Sequence, residues 1–166
     1  LHVIDALSHV GATRESIVVA FGGGVVGDTA GFAAATYMRG IRYVQVPTTL
    51  VAQIDSSFGG KVGVDTEAGK NMLGAFWQPS LVLIDTSLLD TLPVEQLRSG
   101  MAEVVKCAAL YGEKDFAPLE ELVRTMGPYE AVSRIVSRPE VHLAPAIRFK
   151  AELVSVDPME QGRRRI

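Results

Sequence analysis

Cysteine is nearly absent: Cys107 is the single one in 166 residues. No internal disulfide can form, so the fold must rest on packing. The apolar neighbours of Cys107 predict a buried thiol in a reducing compartment, with the cytoplasm as the expected location. Long apolar runs are missing too. No stretch reaches the roughly 20 residues that a bilayer span needs, and no charged leader precedes a cleavable apolar segment. A membrane partner and export are therefore not expected. Excess positive charge is lacking as well: 16 Lys and Arg against 19 Asp and Glu leave a net charge of −3. That field is too weak to gather nucleic acid, so any anion site must be built locally. Internal repeats and low-complexity tracts are absent. The first residue, Leu1, is not an initiator Met, and the last stretch, EQGRRRI, carries no capping pattern. The sequence reads as an excerpt.

What is present is an ordinary globular composition, 48% hydrophobic and 21% charged. Ile4 to Val10 reads as the end of a helix. SIVVAF (Ser16 to Phe21), bounded by glycines and rich in branched residues, predicts a buried strand. VVGDTAGFAAATYMRG places small and apolar residues at helical spacing and stops at Gly40. IRYVQVP (Ile41 to Pro47) predicts the next strand, completing a strand, helix, strand crossover of the parallel kind. LVLID (Leu81 to Asp85) predicts a further buried strand. Between them SSFGGKVGVDTEAGKN is too polar and glycine-dense for a core element, and reads as a functional loop or hairpin. From Pro93 onward PVEQLRSGMAEVVKCAALY, KDFAPLEELVRTM and PEVHLAPAIRFKAELVSVD read as helices. The expected class is α/β: a parallel-sheet nucleotide-binding part over residues 1–92, then an all-helical metal-binding part over 93–166, both incomplete.

FGGGVVGD follows a predicted strand and opens a predicted helix, the setting of a phosphate-binding turn. Glycines let backbone N–H groups approach an anion at the positive end of a helix. The spacing is not G-x-G-x-x-G, and no P-loop lysine and hydroxyl follow. Taken alone, the motif also fits a tight turn with no ligand. Glu103 and Lys106 lie three apart and share a helix face, a spacing that taken alone is more often a solvated surface pair. Lysines on a glycine-rich loop, taken alone, fit a solubilising surface. His2, His9 and His142 are isolated and are not recruited as ligands.

Taken together, GGGVVGDTAGFAAATYMRGIRYVQVPTTLVAQIDSSFGGKVGVDTEAGKNMLGAFWQP, then DTLP and GMAEVVK, resemble the 3-dehydroquinate synthase family in order, spacing and identity. The resemblance runs from about Ser16 to Arg164. Its wording is similar to the form fused in fungal and protist multifunctional shikimate proteins, which implies possible fusion to other shikimate enzymes. It implies NAD and a divalent metal, zinc or cobalt, as cofactors, and a phosphorylated keto acid as substrate. For the dinucleotide it implies Gly24, Val25, Val26, Gly27 and Asp28 as the pyrophosphate turn. Thr48, Thr49, Leu88, Leu89, Asp90 and Thr91 are the further nucleotide contacts implied. For the metal it implies Glu103, with two histidines beyond the end of this chain. For the substrate it implies Lys61, Lys70, Asn71, Lys106, Lys150 and Arg164, with Asp55 as a hydroxyl acceptor. Arg39 is implied to reach the phosphate from the partner subunit of a homodimer.

The reaction so implied converts 3-deoxy-D-arabino-heptulosonate 7-phosphate to 3-dehydroquinate and phosphate. It proceeds by transient oxidation, β-elimination of phosphate, re-reduction and intramolecular aldol closure. Departures from the family wording are Glu95 and Gln96 in LPVEQL, and Pro158 and Arg163 in DPMEQGRR. None carries an assigned role. Three other readings stand beside this one. Another sugar-phosphate cyclase would read D-A-G and G-A-K where this chain has Asp55, Ser56, Ser57 and Gly59, Gly60, Lys61. A metal-dependent alcohol dehydrogenase shares a glycine turn followed by Asp, together with a helical metal domain. Finally, the chain on its own is expected to be inactive, because the two histidine ligands are missing.

Overall fold

The computed structural model of the chain describes residues 1–111 and 113–137. It divides into two compact units, Leu1–Pro47 with Ser56–Ile84, and Thr48–Asp55 with the segment from Asp85 onward.

In the first unit, helix α1 (His2–His9) precedes strand β1 (Ile17–Gly22), helix α2 (Gly24–Thr36), strand β2 (Arg42–Pro47), the hairpin β3 (Lys61–Thr66) and β4 (Gly69–Phe76), and strand β5 (Leu81–Val82). The branched run of β1 pairs in parallel with β2, from Ile17 opposite Arg42 to Gly22 opposite Pro47. β5 joins the other edge of β2 in parallel, giving the order β1-β2-β5. Only Leu81 and Val82 of LVLID form strand, although Leu83 N–H still donates to the Gln45 carbonyl at 2.8 Å.

The core lies where α2 and the hairpin cover the sheet. Ala34, Tyr37, Ile41, Tyr43 and Val62 are buried together there. The aromatic residues are apolar in body and polar at the tip, and each tip finds a partner. Tyr37 Oη donates to the Ala12 carbonyl at 2.8 Å, and Trp77 Nε1 to that of Ile41 at 3.0 Å. Tyr43 Oη donates to the Trp77 carbonyl at 3.1 Å while accepting from Gln45 Nε2 at 3.2 Å. Helix and sheet approach closely because Gly31 has no side chain: a Cβ there would strike the Val62 side chain and the Tyr43 ring.

Two expectations need correcting. The GGKVGVDTEAGKN stretch is not excluded from the core: Val62 is 4% exposed. Alternation along β3 turns Val62 inward while Lys61 stays outside. β1 is also not fully buried, since Val18 and Ala20 face inward while Ile17, Val19 and Phe21 are about half exposed or more. A parallel sheet is normally covered on both faces. Among the described residues only one face of this one is.

In the second unit, a one-turn π-type segment (Ala52–Ser56, whose last residue belongs to the first unit) and a 3₁₀ segment (Thr86–Thr91) accompany helices α3 (Val94–Tyr111) and α4 (Glu113–Ser137). Leu50, Ile54, Leu89, Val104, Cys107, Ala108, Leu119 and Ile135 form its core. Cys107 is buried there, as its apolar neighbours predict, and forms no disulfide. The α3 contributors Leu97, Met101, Val104 and Ala108 recur at helical spacing. Gly100 packs against Leu50, whose Cβ would lie 2.7 Å from an added methyl. α4 is interrupted at Gly127 (φ 81°, ψ 164°). The third expected helix, PEVHLAPAIRFKAELVSVD, lies outside the described residues. None of the described helices is long and apolar enough to cross a membrane.

Candidate functional site

The glycine turn is built from the backbone up. β1 ends at Gly22, Gly23 takes an extended conformation as the N-cap of α2, and no side chain caps the helix. Val26 and Gly27 N–H both return to the Gly23 carbonyl at 3.1 Å. The two donors before them, on Gly24 and Val25, are left at the positive end of a 13-residue helix without a side-chain acceptor. Val25 is 81% exposed, so its side chain does not shield the turn. At Gly27 a Cβ would lie 2.6 Å from Gln45 Oε1, so α2 packs closely on the end of that side chain. At Gly24 a Cβ would lie 3.1 Å from Ser56 Oγ. That hydroxyl and the Ser57 hydroxyl are buried with no hydrogen-bond partner among the described residues.

Asp28 follows on the first turns of α2. Burial pushes its carboxyl above the ordinary aspartate range, and the charge of Asp65 pushes it further the same way. Asp65 belongs to β3, so the hairpin brings its own carboxylate within electrostatic reach of the nucleotide-type turn. Asn71, the third residue of β4, takes a left-handed conformation (φ 54°), and its N–H donates to Asp65 Oδ1 at 2.8 Å. Lys61 and Lys70 are exposed on the same hairpin. Lys61 pairs opposite Phe76 at the open end, whereas Lys70 and Asn71 lie beside the Thr66–Gly69 pair. Four to five residue steps separate the two lysines along the ladder, roughly 15 Å at the strand rise. Arg39 is exposed in a turn with positive φ at Met38 (50°), Arg39 (67°) and Gly40 (120°).

The second unit gathers Asp55, Glu103 and Lys106. The Lys106 ammonium lies against Oε2 of Glu103, and this pairing is the main cause that raises its pKa; Asp55 adds to it through space. Lys106 is half exposed and Glu103 largely covered, so the pair itself contributes under about 1 kcal/mol. Thr49 Oγ1 accepts from Ala52 N–H at 3.3 Å and is partly committed as a turn cap. Of the stretch Leu88 to Thr91, Leu89 is fully buried in the core, leaving only its backbone to meet a ligand. Asp90 and Thr91 are exposed. Lys150 and Arg164 lie outside the described residues. Among the described residues no three His, Cys, Asp or Glu side chains come together as a metal site. Glu103 therefore offers one carboxylate and not a complete ligand set.

Sequence reasoning missed Asp65, Ser56 and Gln45. The signal for Asp65 was a short acidic side chain six residues before an asparagine in a glycine-rich hairpin. Gln45 meets Gly27 because β2 lies under α2, and Ser56 meets Gly24 from the end of the π-type segment; no local pattern carries either contact.

Fold and turn define an α/β protein whose parallel sheet feeds a glycine turn at an uncapped helix end. Within that class, residues 1–99 match the family described as 3-dehydroquinate synthase N-terminal, and the chain belongs to the 3-dehydroquinate synthase family. It is 51% identical over 162 residues to a 3-dehydroquinate synthase from Pelotomaculum thermopropionicum, covering 98% of this chain and 42% of that protein. It is 47% identical over 175 residues to the pentafunctional AROM polypeptide of Clavispora lusitaniae, covering 99% of this chain and 11% of that one. The chain thus spans less than half the length of either relative.

Among solved structures it is similar to 2-epi-5-epi-valiolone synthase from Streptomyces hygroscopicus subsp. jinggangensis, determined with NAD+ and Zn2+ bound. The TM-score is 0.74 at 36% identity, covering 92% of this chain and 41% of that one. A 2-deoxy-scyllo-inosose synthase complexed with carbaglucose-6-phosphate, NAD+ and Co2+ aligns with TM-score 0.62 at 38% identity, over 64% of this chain and 29% of that one. Sulfoacetaldehyde reductase from Bifidobacterium kashiwanohense, at 16% identity and TM-score 0.56, covers 87% of this chain and 47% of that one, and shares the fold alone.

Proposed function

We propose that this chain supplies the dinucleotide turn and part of the substrate site of a 3-dehydroquinate synthase. The enzyme would convert 3-deoxy-D-arabino-heptulosonate 7-phosphate to 3-dehydroquinate and phosphate on the way to chorismate and the aromatic amino acids. The observation that carries the reading is the uncapped α2 terminus behind Gly23, with its two open donors, in a chain half identical to a protein of that name. The turn fits NAD: it offers backbone donors and a dipole to a pyrophosphate, and no Cβ stands at Gly24. When bound, the nicotinamide accepts and later returns a hydride. The chain's part is to bind and orient. Lys61, Lys70 and Lys106 provide fixed positive charge for an anionic substrate, Asn71 supplies amide hydrogen bonds, and Asp55 accepts from a hydroxyl. Such positioning supplies about 7–11 kcal/mol of a barrier when it is complete.

For the metal, Glu103 is the ligand this chain offers. The described residues do not complete a zinc or cobalt site. Residues 1–92 serve as the nucleotide-binding domain and 93–166 as the helical substrate and metal domain. Arg39 serves a second copy of the chain in a homodimer. Lys150 and Arg164 are further substrate cations in this reading. Kinship with a pentafunctional polypeptide supports fusion to other shikimate enzymes, in the cytoplasm.

The test is phosphate release by the full-length protein carrying this chain, with NAD and Zn2+ or Co2+ supplied. Release from the seven-carbon keto-acid phosphate, with no lasting NADH, is the expected result. Turnover of sedoheptulose 7-phosphate instead would make it another cyclase. Steady NADH accumulation would make it a dehydrogenase.

A further inference from the structure

We infer that Asp65 is a positioning residue for the substrate-facing end of the hairpin, the acceptor that holds Lys70 and Asn71 out of the β ladder. The inference rests on the reading of Lys70 and Asn71 as substrate contacts. Strand pairing in the hairpin runs regularly from Lys61 opposite Phe76 to Val64 opposite Leu73, then resumes at Thr66 opposite Gly69. Between those two pairs β3 has one residue, Asp65, and β4 has three, Lys70, Asn71 and Met72. Extra residues on one strand leave backbone groups without ladder partners and re-aim the side chains they carry. Asn71 N–H is such a group. It donates to Asp65 Oδ1 at 2.8 Å, across six residues of chain, a bond strengthened by the carboxylate charge.

Asn71 is meanwhile held at φ 54°, a region that asparagine tolerates but that needs surrounding support to persist. Remove the acceptor, and Asn71 can relax toward an ordinary β conformation, turning its side chain to the opposite face. Lys70 would turn with it. Asp65 also sits within electrostatic reach of Asp28 on α2. The requirement is for an acceptor oxygen at this position, with the charge secondary.

The experiment compares full-length wild type, Asp65→Ala and Asp65→Asn. Asparagine keeps an acceptor oxygen at Oδ1, whereas alanine removes it. For Asp65→Ala the expected result is a loss of kcat/KM for the keto-acid phosphate of about tenfold or more, the scale of one lost charge-assisted hydrogen bond. NAD affinity should stay within about twofold of wild type, since the donors of the α2 turn are untouched. Asp65→Asn is expected to recover most of kcat/KM, and Asn71→Ala in the Asp65→Ala background to add little further loss.

Amide hydrogen exchange at Asn71 gives a readout independent of turnover: slow in wild type and Asp65→Asn, fast in Asp65→Ala. Equal exchange in all three would overturn the inference, as would an Asp65→Asn enzyme as impaired as Asp65→Ala. If wild type shows no turnover of this substrate, the functional reading fails, while the exchange measurement still decides the role of Asp65. Should Asp65→Ala fail to fold, Asp65→Asn with protected Asn71 and near wild-type kcat/KM still supports the inference, and loss of either overturns it.

Discussion

Gly31 is the point at which α2 meets the hairpin and the sheet at once. An added methyl would enter the Val62 side chain and press on the Tyr43 ring, both inside a closed core that cannot yield cheaply. Gly31→Ala should therefore destabilise the protein by about 1–3 kcal/mol, read as a lower urea midpoint at unchanged slope. Gly27→Ala meets only the end of the Gln45 side chain and should cost less. Residues of this kind mark what a sequence carries poorly. The charged groups, Lys61, Lys70, Glu103 and Lys106, stand out by type and by the wording around them. Asp65 does not, because its importance comes from a donor orphaned by an irregular ladder, and that irregularity is not written in residue types.

Elements were legible where local pattern and burial agree. β1, α2 and β2 follow the branched run and the small-residue helix, but α2 ends at Thr36, short of the expected stop at Gly40, and a separate 3₁₀ turn over Tyr37–Arg39 fills the gap. The hairpin was harder. Its glycines look like loop, yet Gly63 and Gly74 face each other so closely that a Cβ on either would meet backbone of the other strand, at 2.8 and 2.6 Å. The glycines serve strand approach and not flexibility.

The 3₁₀ segment Thr86–Thr91 depends on Asp85, whose Oδ1 accepts from Ser87 N–H at 2.9 Å and Ser87 Oγ at 2.6 Å. Those donors hold the Asp85 carboxyl below the usual aspartate range. The sign follows: a depressed folded-state pKa adds stability above the ordinary value and loses it as pH falls through the folded one. Asp85→Ala should release this segment at neutral pH, seen as faster amide exchange at Ser87. At a pH below the folded pKa, variant and wild type should converge.

For the molecule as a whole, Asp28 sets an opposite trend. Its folded pKa is raised, so between the ordinary aspartate value and the folded one the native state holds more protons than the unfolded state, and stability falls as pH rises. Asp28→Asn should remove that decline, and urea midpoints taken from pH 4 to 7 for both proteins would display the difference. A pH dependence identical in the two proteins would show that the side chain is not covered as described.

The chain enters the second unit at Thr48, leaves it after Asp55 and returns at Asp85. Neither unit is thus one unbroken length of polypeptide. Scissors applied between Ile84 and Asp85 would strand Leu50 and Ile54, both wholly buried among Leu89, Val104 and Ile135, on the wrong fragment. A helical half produced alone from Asp85 onward would expose a hydrophobic hole where two side chains belong, and would be expected to aggregate unless the eight-residue excursion were grafted back.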